Sequence, residues 1–211
     1  MEYLTPLIYR KIIDTISFIY NKSGTDPDID LFRFKDVLDS FSEGQFESKI
    51  WAIEELNKFI SDQYNECFII GGWHGLFSHL LSESGFKNKI VNSELDLTCH
   101  MIAKKLKIYD NISFRHGNGI DLFSEYNYND KIVVCTACEH IDEDDLNLII
   151  ELKKPKMLMC LQSNNYYEID SHINCKDSLE NFVSSLPLKN ILYSGQKNYK
   201  NKYDRFMVIG K

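Results

Sequence analysis

Apolar residues along the chain change their spacing near position 66, and that change divides the sequence in two. Before it, Leu4, Ile8, Ile12, Ile16 and Ile19 recur about every four residues, which predicts one apolar helical stripe. The polar stretch 23-SGTDPD-28 breaks that segment. Leu31, Phe34, Val37, Leu38 and Phe41 then mark a second helix, and Phe46, Ile50, Ile53, Leu56 and Ile60 a third that starts near Glu43. No strand pattern interrupts them, so residues 1–65 read as an N-terminal helical cap.

Beyond it, short apolar runs alternate with amphipathic segments. The predicted strands are 67-CFII-70, 89-KIVNSE-94, 112-ISFRH-116, 131-KIVVCTA-137 and 156-KMLMCLQS-163, with helices between them near 76–84, 97–107 and 143–153. Such succession implies right-handed crossovers and a parallel sheet covered on both faces. A last helix near 176–185 precedes 190-NILYSG-195 and 203-YDRFMVIG-210, which the polar 196-QKNYKNK-202 separates, so they read as an antiparallel edge hairpin. The expected fold is α/β: a Rossmann-like, doubly wound, mostly parallel sheet of about seven strands over residues 66–211.

Composition narrows the function classes. At 44% hydrophobic and 13% aromatic, the 211 residues can build a packed core, which excludes a disordered chain. With 31 acidic against 24 basic residues and a net charge of −7, nucleic acid is disfavoured as a partner without being excluded. No apolar run approaches the roughly 20 residues of a membrane span, and no signal peptide opens the chain, so a cytoplasmic protein without a membrane partner is expected. The oligomeric state is not legible. Six cysteines sit mostly inside apolar runs, as reduced core cysteines do, and Cys135-x-x-Cys138 has no second pair, so no metal is expected.

In a parallel sheet the ligand lies beyond the carboxyl ends of the strands. Those ends carry 71-GGWHG-75, 94-ELD-96, 116-HGNG-119, 136-TACEHID-142 and 162-QSNN-165. Glu94 follows Gly71 at a spacing close to that of an acid that meets a ribose, and a carboxylate can accept from two vicinal hydroxyls. Asn118 offers an acceptor and a donor to an adenine edge; taken alone it is equally a turn residue, and Glu94 a helix cap. The loop 162-QSNNYYEIDSHIN-174 is dense in polar and aromatic groups, so Asn164, Asn165, Tyr166 and His172 are candidates for an acceptor wall. In the helical segment Lys49 and Trp51 together break the amphipathic pattern, and Lys49 could meet a substrate carboxylate or simply be solvated.

The order of these elements resembles the class I S-adenosylmethionine-dependent methyltransferases, over residues 66–211. The run 69-IIGGWHG-75 looks like their glycine-rich turn, Glu94 matches their ribose-binding acid, 117-GN-118 matches their Gly-Asp, and 132-IVVCTACEHIDEDDLNLIIEL-152 resembles their fourth-strand segment. The resemblance implies S-adenosylmethionine as cofactor, bound by Gly71, Gly72, Trp73, His74, Gly75, Glu94, Leu95, Asp96, Gly117, Asn118, Gly119, Thr136, Ala137 and Cys138. It implies methyl transfer to a small or medium polar acceptor, with Glu139 and His140 as candidate catalytic residues, His140 a base that Glu139 orients or charge-balances, or else a structural pair. Three positions depart from the family pattern: Trp73 replaces the middle glycine, Ile69 an acid, and Asn118 an Asp. Trp73 can point away from the cofactor, pack on its sulfonium, or fill space under the helices. No Asn-Pro-Pro-aromatic run follows strand four, which favours a small-molecule acceptor over a flipped base. Two alternatives stay open: aminocarboxypropyl transfer from the same cofactor, and a catalytically degenerate binding or interaction module.

Overall fold

The computed structural model describes residues 31–125, 130–199 and 202–211, the first four by backbone alone, together with Arg10, Ile13, Asp14, Ile16, Ser17 and Asn21. The predicted stripe Leu4, Ile8, Ile12 and Ile19 and the breaker 23–28 lie outside the described residues. Seven strands form one sheet: β1 (Glu66–Ile70), β2 (Lys89–Glu94), β3 (Ile112–His116), β4 (Lys131–Cys135), β5 (Leu158–Asn164), β6 (Ile191–Tyr199) and β7 (Tyr203–Gly210). Their spatial order is β3-β2-β1-β4-β5-β7-β6. The first five run parallel, and β7 is antiparallel to both β5 and β6. Strand order reverses between β1 and β4, which is where a doubly wound sheet opens a crevice beyond its strand ends.

The helices are α1 (Leu31–Ser40), α2 (Glu43–Asn57), α3 (Leu76–Glu83), α4 (Leu97–Leu106), α5 (Gly119–Glu125), α6 (Glu143–Leu152) and α7 (Leu179–Ser185), with a 3₁₀ turn at Cys138–His140. Alternate strand residues feed two cores. Cys67, Ile69, Ile132, Val134, Leu158 and Cys160 pack with Trp51, Ala52, Ile53 and Leu56 of α2 and Phe77 and Leu80 of α3. On the other face Phe68, Val133, Cys135, Met159 and Leu161 pack with Phe123 of α5, Ile149 of α6 and Phe182 of α7. At about 1.5–3 kcal/mol for each large apolar side chain removed from water, α2 is held as a layer of the sheet's own core. Part of the expected cap is therefore core.

Three local readings change. Helix α5 was not predicted, because its seven residues bury only Phe123 and show no helical stripe. Strand β6 runs on through Tyr199 across polar residues expected as a loop; it is the sheet edge and mostly exposed, so its sequence needs no apolar alternation. Leu38, expected inward, is exposed. At the amino ends of the strands, away from the crevice, Glu66 pairs with Lys131, which is almost wholly buried, and with Lys89 at 2.7 Å.

Candidate functional site

The turn after β1 is shaped by contacts that tolerate little side chain. Gly72 donates to Ser93 O at 2.9 Å, and a Cβ on it would stand 2.0 Å from Asn92 Oδ1. Gly75 caps α3 at φ 83°, where a Cβ would lie 2.9 Å from the Phe114 ring. Between them Trp73 adopts φ 49°, a left-handed conformation that costs a side-chain-bearing residue roughly 1–2 kcal/mol. Two bonds hold it there. Its main-chain N–H donates to Glu94 Oε2 at 2.8 Å, and its indole Nε1 donates to Asp36 Oδ2 of α1 at 3.3 Å. The indole stacks on the His74 ring, centroids 5.3 Å apart. Of the three orientations open to Trp73, the structure takes the one under the helices.

Glu94 joins the ends of β1 and β2. Oε2 takes the Trp73 amide and Oε1 the Asp96 amide at 3.0 Å, and the Gly117 amide reaches Glu94 O at 3.0 Å. Burial raises the Glu94 pKa, and the amides that donate to the carboxylate oppose that shift. Asp96 caps α4 by accepting from the Cys99 amide at 3.0 Å, and Leu95 beside it is 66% exposed. Asn118 Oδ1 accepts from the Ile120 amide at 2.8 Å. Gly119 stands against Ile70, where a Cβ would come within 2.7 Å of Cγ2. His74 is buried, with Nε2 3.8 Å from Asp36 Oδ2, and Ile69 lies in the core.

A second polar group gathers beyond β4 and β5. Thr136, Ala137 and Cys138 lead from β4 into the 3₁₀ turn, where Glu139 is only 2% exposed and His140 is exposed. Asn164 Nδ2 donates to Glu139 Oε1 at 2.6 Å, and Arg205 Nη2 of β7 lies 3.6 Å from the same oxygen. Arg205 Nη1 also donates to Thr136 O at 3.1 Å. Orientation of His140 comes from elsewhere: Nδ1 meets Ser171 O at 3.1 Å, and the ring packs edge-on against His172 with centroids 4.6 Å apart. Desolvation lowers the His140 pKa, and the Glu139 charge opposes it. His172 Nδ1 meets Tyr166 O at 2.6 Å. Lys49 is buried, bonded to Gln45, and its pKa falls to about 7, first through burial and then through the Arg205 charge, with Glu139 opposing.

Other expected residues serve the frame. Trp51 is a core residue, 3% exposed, whose Nε1 donates to Tyr193 OH at 3.2 Å, so its apolar ring explains the break in helix pattern that suggested an acceptor contact. Asn165 extends the β5–β7 ladder: its amide donates to Asp204 O at 3.2 Å, and its Oδ1 accepts from the Asp204 amide at 2.7 Å. Tyr166 takes the Asn164 side chain on its amide at 2.8 Å and packs on Tyr203. Cys138 is buried with its thiol on Cys135 O at 3.6 Å, and burial pushes its pKa well up. Sequence reasoning missed Arg205, Asp36 and Asn174. Arg205 left one trace, a charge next to Asp204 directly before the apolar run 206-FMVIG-210 of the same strand.

Comparison with solved structures identifies the fold. The N-methyltransferase NodS from Bradyrhizobium japonicum matches at TM-score 0.62 and 11% identity, over 81% of this chain and 97% of that one. An O-methyltransferase from Bacillus cereus in complex with SAH matches at 0.58 and 12%, over 96% and 91%. A SAM-dependent methyltransferase from Anabaena variabilis matches at 0.58 and 16%, over 77% and 82%. This chain has the class I S-adenosylmethionine-dependent methyltransferase fold. No family model and no curated protein matches it by sequence. Among the described residues no helix is long and apolar enough to cross a membrane.

Proposed function

We propose that the chain transfers a methyl group from S-adenosylmethionine to a small or medium polar acceptor. The observation that carries this reading is Glu94 at the carboxyl end of β2, tied to the Trp73 amide across the turn after β1, with a histidine-rich cluster beyond β4 and β5 of the same sheet. One end suits a nucleoside and the other a reacting group.

Glu94 fits a ribose because each of its oxygens keeps a lone pair beyond the amide it accepts. The Asn118 amide would meet the adenine edge, and the backbone of Gly71 to Gly75 and of Thr136 to Cys138 would line the remainder. When bound, S-adenosylmethionine supplies a methyl carbon already activated by its sulfonium, so positioning by the protein accounts for much of the rate. Two side chains at the acceptor end offer a base for the acceptor's proton: His140, whose pKa desolvation lowers, and Lys49 with its pKa of about 7. Asn164 and Arg205 hold the Glu139 carboxylate in place beside them.

Incubation of the protein with S-adenosylmethionine and a panel of hydroxyl, amine and carboxylate acceptors, read by mass, tests the reaction. A gain of one methyl group supports it; a gain of an aminocarboxypropyl group would replace it by the alternative transfer. The firm seating of Glu139 on Asn164 and Arg205 also suits a binding module, which predicts cofactor binding with no product from any acceptor.

A further inference from the structure

We propose that Glu139, His140 and His172 form a binding site for one divalent transition-metal ion. One carboxylate oxygen of Glu139 and one ring nitrogen of each histidine lie within 4.8 Å of one another. Ligands about 2.1 Å from a tetrahedral ion stand roughly 3.4 Å apart, so the trio closes on one by side-chain shifts on the order of an ångström.

Two further observations point the same way. Glu139 is 2% exposed, yet its Oε2 has no hydrogen-bond partner among the described residues. Oε1 takes Asn164 and faces Arg205, so the carboxylate is anchored through one oxygen and presents the other. A buried, unsatisfied carboxylate oxygen is costly, and a cation satisfies it. The histidines are prepared in a matching way. Nδ1 of His140 meets Ser171 O at 3.1 Å, and Nδ1 of His172 meets Tyr166 O at 2.6 Å. A carbonyl only accepts, so each Nδ1 carries the proton and each Nε2 keeps the lone pair. That is how a metal-ligating histidine is usually oriented.

The scaffold is fixed before any ion arrives. Asn174 N donates to Glu139 O at 3.0 Å, and Asn174 Nδ2 donates to Ile141 O at 2.9 Å, which ties the loop bearing His172 to the turn bearing the other two ligands. Two imidazoles and one carboxylate suit zinc, cobalt, iron, nickel or manganese over magnesium or calcium, and three protein ligands leave positions for a substrate atom. The positive charges facing the group are Arg205, on the Oε1 side, and Lys49, whose pKa senses Glu139. Lewis acidity from the ion would ease loss of an acceptor's proton. This role rests on the methyl-transfer reading; binding of the ion does not.

The test is equilibrium dialysis of metal-free protein against Co²⁺ and Zn²⁺ without S-adenosylmethionine, with visible absorption of the Co²⁺ form. The expected result is one ion per chain, at least tenfold weaker in His140→Ala and in His172→Ala, and unchanged in Cys175→Ser or by excess Mg²⁺. No stoichiometric uptake of either ion, or uptake undiminished in both histidine variants, overturns the site. Because the cofactor is absent, failure here is separate from failure of the transferase reading.

Discussion

Glu94 Oε2 accepts the main-chain N–H of Trp73 at 2.8 Å, so the acid that ends β2 also holds the strained turn that follows β1. The residue assigned to the ribose and the residue that departs from the glycine pattern are thus one unit. Its other oxygen takes the Asp96 amide, which aligns the start of α4.

Replacement of Glu94 by Ala removes both the proposed ribose contact and the support of the turn. Cofactor affinity is expected to fall at least tenfold, the scale of about 1.4 kcal/mol for a lost charged hydrogen bond. Glu94→Gln keeps one acceptor oxygen and is expected to lose less. Titration calorimetry on variants shown to be folded checks both, and an unchanged affinity would remove Glu94 from the site.

Trp73 faces Asp36 and His74, so its indole belongs to the seam between α1 and the turn. Trp73→Phe is expected to lower unfolding stability by about 1 kcal/mol through the lost indole hydrogen bond, with cofactor affinity within threefold of wild type. A tenfold loss of affinity at unchanged stability would instead put the ring on the sulfonium.

Lys49 has a pH signature. Its folded pKa is lowered from 10.5 to about 7, so between those values the unfolded chain binds the extra proton and stability rises with pH. The slope is about 1.4 kcal/mol per pH unit for one such group, lost below the folded pKa where both states are protonated. Denaturant midpoints of wild type and Lys49→Met compared between pH 7 and about pH 8.5 should show the rise in wild type alone, since the cysteines that titrate there are common to both. Parallel curves would mean that Lys49 is charged in the fold.

At the opposite end of the sheet Lys131 is 1% exposed and pairs with Glu66. Glu66→Ala leaves that ammonium buried without its carboxylate and is expected to cost about 3–5 kcal/mol in chemical denaturation. Residual folded protein should bind cofactor normally, since the pair lies away from the strand ends that form the site.

The central strands were legible because parallel strands buried on both faces carry near-continuous apolar runs, as 67-CFII-70 and 132-IVVC-135 do. The places of Glu94, Gly72 and Asn118 at strand ends and turns were legible because such positions carry their chemistry locally. What stayed hidden depends on contacts between distant positions. Arg205 reaches Thr136 and Glu139 across more than sixty residues, and His140 meets His172 only because Asn174 folds the intervening loop back onto the turn. Trp51 misled for the same reason, since its partner Tyr193 lies on β6 and no helical pattern reports a cross-fold hydrogen bond. Strand β6 beyond Gly195 and helix α5 were missed because an exposed edge and a one-contact helix impose no apolar period.

The most direct measurement is titration calorimetry of the pure protein with S-adenosylmethionine and S-adenosylhomocysteine, with NAD as control. The account predicts micromolar binding of the first two at one site per chain, none of the third, and loss of that binding in Glu94→Ala. No binding of either, by a folded protein, would contradict it and leave the Gly71–Gly75 turn to another ligand or to the fold alone.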